Sequence, residues 1–147
     1  MFPTPSRAST SDAIPRQPGT YMLVFRVEEE MTVQVGKLGE LVLTPGVYVY
    51  VGSAHGPGGL GARIERHLRR DKRPHWHIDH VTKHIAPTDV LYITDREKWE
   101  CTWVQALLRR PGTTVPLKGM GNGDCTAGCP AHFLRLDTDV MREDKGA

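Results

Sequence analysis

Residues 47–68 read VYVYVGSAHGPGGLGARIERHL, and this stretch decides the fold. The first five residues are all β-branched or aromatic, which suits a strand. Gly52 to Gly59 then holds four glycines and Pro57 within eight residues, so the chain turns there and its backbone is free to approach a ligand closely. From Leu60 the period changes. Leu60, Ile64 and Leu68 recur every four residues as a buried stripe, while Arg63, Arg66, His67 and Arg70 share a polar face. The spacing predicts an amphipathic helix that ends near Lys72, ahead of Pro74.

Upstream, Tyr21, Leu23 and Phe25 alternate with Met22, Val24 and Arg26, and a charged turn follows at Glu28-Glu29-Glu30. Met31, Val33 and Val35 resume the alternation, Gly36 to Gly39 turns the chain, and Leu41 to Leu43 makes another short strand. Three or four antiparallel strands therefore fill the first third. Downstream, Ile78, Val81 and Ile85 fall at helical spacing, and Val90-Leu91-Tyr92-Ile93 reads as a strand covered on both faces. Thr94-Asp95-Arg96-Glu97 has the form of a capping box opening a helix that runs to about Arg110, where Pro111-Gly112 ends it. Phe133 to Leu136 supplies a last strand. The pattern defines an α+β fold, a small antiparallel β-sheet flanked by helices.

A chain of 147 residues with 39% apolar content buries one core, so a single domain is expected over residues 19–136. Residues 1–18 carry Pro3, Pro5, Pro15 and Pro18 among Ser and Thr with no period, and read as a disordered arm; residues 137–147 read as a flexible charged tail. No apolar run approaches the length of a membrane span or a signal segment, which points to a soluble, cytoplasmic protein. Cys101, Cys125 and Cys129 are an odd number of thiols and argue against a disulfide framework.

The charge balance, 19 Lys+Arg against 17 Asp+Glu, excludes little by itself. Its distribution is more informative, because residues 60–84 gather Arg63, Arg66, Arg69, Arg70, Lys72, Arg73 and Lys83 beside five histidines. Such a patch suits a phosphate backbone. Within it, Arg63 emerges directly after the glycine turn, and its guanidinium can hold two phosphoryl oxygens while offsetting charge that grows on them. Arg66, His67, Arg69 and Arg70 are candidates for nucleic-acid backbone contacts. Glu100 lies on the apolar arc of its helix with Trp103, Val104 and Leu107, where a carboxylate must be paired, protonated or bound to a cation. One carboxylate completed by water and substrate phosphate would hold a hard divalent ion. Tyr21 and Tyr50 fall on neighbouring strands, and two phenols near one phosphate can orient water, or accept its proton if a cation lowers their pKa.

Gly19-Thr20-Tyr21 and Tyr50-Val51-Gly52 resemble the paired triplets of the GIY-YIG nuclease superfamily. The longer strings Pro45 to Ala54, Gly58-Gly59-Leu60, Arg63 to Leu68 and His75-Trp76-His77-Ile78-Asp79 resemble a small group known as domain of unknown function 123. The resemblance spans Gly19 to about Leu136. It implies a metal-dependent endonuclease that hydrolyses phosphodiester bonds in DNA on a three-stranded antiparallel sheet flanked by helices. Tyr21 and Tyr50 would take the tyrosine roles, Arg63 the phosphate clamp, and Glu100 the sole protein ligand to a magnesium or manganese ion (Mg2+ or Mn2+). His55 or His67 would stand beside the cleft as proton carrier. Two features depart from the superfamily pattern: an extra hairpin between Glu28 and Leu43, and Asn122 as a loose match to a late asparagine. Alternatives of other classes are a non-catalytic nucleic-acid-binding module and a zinc-stabilised interaction domain.

The last of these rests on Cys125, Cys129 and His132, a C-x3-C-x2-H pattern that Cys101 or His77 would complete to four ligands. Thiols packed in a glycine-rich loop, with no obligatory zinc, is the expectation.

Overall fold

Seven strands and three helices account for the periodic segments in a computed structural model that describes residues 6–8, 13–69, 73–121 and 128–137. The strands are β1 (Ser6–Ala8), β2 (Gly19–Val27), β3 (Met31–Val35), β4 (Gly39–Leu43), β5 (Gly46–Ala54), β6 (Asp89–Thr94) and β7 (Phe133–Leu136). The helices are α1 (Gly59–Leu68), α2 (Asp79–Thr82) and α3 (Glu100–Leu108). β1-β6-β2-β5-β7 form one five-stranded antiparallel sheet, and β3-β4 form a separate two-stranded hairpin. The result is a small α+β fold with an antiparallel sheet flanked by a few helices.

Alternation within β2 divides the core into two layers. Tyr21, Leu23, Phe25 and Val27 point to one face, where Leu60 and Ile64 of α1, Ile78 and Val81, and the hairpin residues Val33, Val35, Leu41 and Leu43 cover them. Met22 and Val24 point to the other, beneath Trp103, Val104 and Leu107 of α3. The two central strands are thus buried on both faces, and full burial of each large side chain contributes about 1.5–3 kcal/mol.

Opposite Tyr21 on β5 stands Gly52, and opposite Leu23 stands Tyr50, so the two triplets are on paired central strands as their alternation predicts. A Cβ at Gly52 would lie 2.6 Å from Tyr21 Oη, and one at Gly19 would lie 2.1 Å from the Ile93 carbonyl oxygen. Both triplet glycines therefore admit a close approach that any side chain would obstruct.

Three boundaries differ from the sequence reading. In the described part of residues 1–18, Ser6–Ala8 pairs with Val90 to Tyr92 of β6, and the segment before β2 straps α1: Gln17 O accepts from Leu60 N at 2.9 Å and Pro15 O from Gly61 N at 3.0 Å. These carbonyls satisfy N–H groups of the first helical turn, which has no side-chain cap. At the other end, α1 stops at Leu68 rather than near Lys72, because Arg69 is already extended at φ −74°, ψ 126°. The expected capping box does not start a helix at all. Asp95 Oδ1 accepts from Glu97 N at 3.0 Å and its Oδ2 from Trp99 Nε1 at 3.1 Å, a local turn that holds the chain until α3 begins at Glu100.

Candidate functional site

A cleft of about 410 Å³ opens where β5 ends, between α1, the segment 75–77 and the start of α3. Tyr50, Arg63 and Glu100 all line it, together with His55, Trp76 and His132. Glycine at 52 and the turn beyond it bring α1 back across the end of the sheet, so Arg63 reaches over to donate from Nη1 to Ser53 O at 3.1 Å. Its guanidinium also lies 4.4 Å from the centre of the Trp76 ring. That stacking fixes the direction of the charge.

Tyr21 is fully buried behind Tyr50, with ring centres 6.2 Å apart. Its Oη shares a 2.6 Å hydrogen bond with His67 Nε2. Burial pushes the Tyr50 phenol up to about 12, and the nearby Glu100 charge adds to that rise, against the opposing pull of Arg63 and a hydrogen bond with Tyr21. Tyr21 is likewise raised well above its ordinary value, first by burial and then by Tyr50. A cation lowering these phenols, required for either to act as an ionised base, is thus outweighed: both stay protonated near neutral pH.

Glu100 sits half-buried in the first turn of α3. Ser53 Oγ donates to its Oε1 at 3.0 Å, and His132 Nδ1 lies 3.4 Å from its Oε2. Burial alone would raise this carboxyl; the close approach of His132 and the hydrogen bond from Ser53, then the charges of His132 and Lys98, bring it below its ordinary value. The carboxylate's partners are a hydroxyl and an imidazole rather than an arginine.

The other predicted contacts divide. His67 is 1% exposed and belongs to the core, so it is not on the solvent face of α1. Arg66 donates to buried Asp79 Oδ2 at 2.7 Å and lies 4.9 Å from the Trp76 ring centre, which ties it to the 75–79 segment. Asp79 Oδ2 also accepts from His75 N at 2.7 Å and Trp76 N at 2.9 Å. Arg69 is exposed just past the helix, while Arg70, Cys125 and Asn122 lie outside the described residues.

On the far side of Glu100, Cys101, Cys129 and His132 place their Sγ, Sγ and imidazole nitrogen within 4.8 Å of one another. This cluster can coordinate a metal ion. Its donors correct the expected cofactor: two thiols and an imidazole have the chemistry of a structural zinc site, not the oxygen ligands that magnesium or manganese requires. Three donors this close allow either an ion or the expected packing of thiols. Cys101, offered only as a completing ligand, is a central member, and His77 is not part of the cluster, since its Nδ1 accepts from Gly121 N at 3.0 Å.

The chain belongs to the family described as domain of unknown function DUF123, which matches residues 20–145. No curated protein and no solved structure matches it. Among the described residues, no helix is long and apolar enough to cross a membrane.

Proposed function

We propose that the domain binds nucleic acid, DNA foremost, in the cleft and hydrolyses a phosphodiester there, in the manner of the GIY-YIG nucleases its triplets resemble. The observation that carries this reading is the convergence of Tyr50 and Arg63 on one cleft, with the Tyr21–His67 hydrogen bond directly behind Tyr50. Arg63 clamps two phosphoryl oxygens and offsets the charge that develops on them. Tyr50 faces the attacking water. Because its phenol is neutral, it can take a proton from water only by giving up its own to Tyr21 Oη, as Tyr21 gives its proton to His67 Nε2 along their hydrogen bond. Glu100 orients His132 and Ser53 at the wall, and exposed Arg69 adds affinity for the backbone.

Cleavage assays on single-stranded, duplex, flap and branched DNA, and on RNA, test this across a panel of divalent cations that includes zinc. Cutting that disappears in Arg63→Ala while binding persists supports the reading. Binding without any cutting by the wild-type protein overturns it. That second outcome favours a non-catalytic nucleic-acid-binding module stabilised by metal, a reading supported by the Cys101, Cys129 and His132 cluster.

A further inference from the structure

We infer that Cys101, Cys129 and His132 hold a zinc-class ion beside the cleft, and that Glu100 is the outer partner of this ion, aligning the imidazole ligand through its second nitrogen.

The donor chemistry comes first. Thiolate and imidazole together select zinc over hard cations. Cys101 stands on α3, whereas Cys129 and His132 lie on the segment leading into β7, so one ion would join two parts of the chain 28 residues apart in sequence. Cys101 Sγ is 4.0 Å from His132 Nε2. Zinc at about 2.3 Å from sulfur and about 2.0 Å from nitrogen sets tetrahedral ligand atoms roughly 3.5–3.8 Å apart. The three donors, all within 4.8 Å of one another, need to close by about an ångström at most pairs to reach that spacing. Gln105 Nε2 points an N–H at Cys129 Sγ at 3.4 Å, which holds that sulfur on the α3 side of the cluster. The described residues supply three of the donors.

The two nitrogens of His132 face opposite ways. Nε2 is directed to Cys101, and Nδ1 to Glu100 Oε2 at 3.4 Å. A carboxylate on the second nitrogen fixes the tautomer and raises the basicity of the ligating one, the arrangement by which metal-bound histidines are held. Glu100 continues the connection inward, since its other oxygen accepts from Ser53 Oγ, and the Ser53 carbonyl receives Arg63. Imidazole, carboxylate, Ser53 and guanidinium thus stand in succession from the cluster to the cleft. This inference stands apart from cleavage: it concerns how the wall is held.

Elemental analysis of the full chain, purified without chelator, gives the stoichiometry. Competition with a chromophoric chelator gives zinc affinity for wild type, Cys101→Ser and Glu100→Gln, with circular dichroism as the check on folding. Cobalt substitution of the wild type reports thiolate coordination by its charge-transfer and tetrahedral ligand-field bands. About one zinc per chain, a thiolate-type cobalt spectrum, and affinity about 10–100-fold weaker in Glu100→Gln support the inference. Sub-stoichiometric zinc with no thiolate band in the cobalt spectrum overturns the site, and wild-type affinity in folded Glu100→Gln overturns the role of Glu100. Should Cys101→Ser not fold, the wild-type spectrum and Glu100→Gln still decide. A protein that holds zinc in this way yet cuts nothing supports the inference and overturns only the proposed cleavage.

Discussion

Tyr21 and His67 meet inside the core, Oη to Nε2 at 2.6 Å, and so tie the central strand β2 to the helix that carries Arg63. Tyr21→Phe removes this bond without changing the packed ring, and the buried imidazole nitrogen is left without the phenol. A loss of about 1–3 kcal/mol is expected, read by urea denaturation. Under the proposed function Tyr21→Phe also stops cleavage, whereas Tyr48→Phe does not, because the Tyr48 hydroxyl donates to Thr44 O at 2.9 Å, away from the cleft.

Gly52 and Tyr21 should be coupled energetically. A Cβ at residue 52 would lie 2.6 Å from Tyr21 Oη and 2.7 Å from Cζ, so Gly52→Ala displaces the ring. The expected cost is about 1–3 kcal/mol. Combining it with Tyr21→Phe, which removes the nearest atom, should cost less than the sum of the two single changes; strict additivity in a double-mutant cycle would show that the contact is not made.

Arg63 and Arg66 are neighbours on α1 with different expected phenotypes. Arg66→Ala strips the guanidinium from buried Asp79 and should destabilise the domain by about 1–3 kcal/mol. Arg63 donates to the Ser53 carbonyl and stacks on Trp76 with no buried carboxylate held by it among the described contacts, so Arg63→Ala should change stability less and cleavage or backbone affinity more. Denaturation midpoints beside binding isotherms separate the two.

Acid should unfold the domain through Asp79. Burial alone would raise its carboxyl, but backbone N–H groups of Trp76 and His75, then the charges of Arg66 and His67, bring it below the ordinary 3.8. The folded state therefore binds this proton less readily than the unfolded state. The resulting stabilisation is complete above the unfolded value and disappears as pH falls through the lower folded value. Asp79→Asn should be less stable at neutral pH and show a flatter decline below about pH 4; an acid limb identical to wild type would reject the assignment.

Most of the sheet was legible because apolar residues at period two mark buried faces, and α1 because Leu60 and Ile64 mark a stripe of period near 3.6. His67 was misread although the signal was present: it is seven residues after Leu60 and three after Ile64, which puts it on the same stripe. β1 carries no such mark. Ser6-Arg7-Ala8 pairs through backbone groups at the edge of β6, and backbone pairing writes nothing into side-chain pattern. Glu100 was found because a carboxylate on an apolar arc demands an account, but its partners were not, since His132 and Ser53 approach it only through folding. The same holds for Cys101 and Cys129. A local C-x3-C-x2-H spacing drew attention to the loop, while the thiol that joins Cys129 and His132 among the described residues arrives on a distant helix.

The carbonyls of Pro15 and Gln17 that receive the first amides of α1 have a consequence for where this unit can be cut or joined. The family segment begins at residue 20, inside β2, and a chain trimmed to that boundary would keep both tyrosines and Arg63 while exposing the amides of Leu60 and Gly61. Severed in this way, the preceding residues become a detachable peptide with a defined docking place: along the β6 edge and over the front of the arginine-bearing helix. Added back in trans, that peptide should restore protection of those two amides against hydrogen exchange, making the two pieces a split protein.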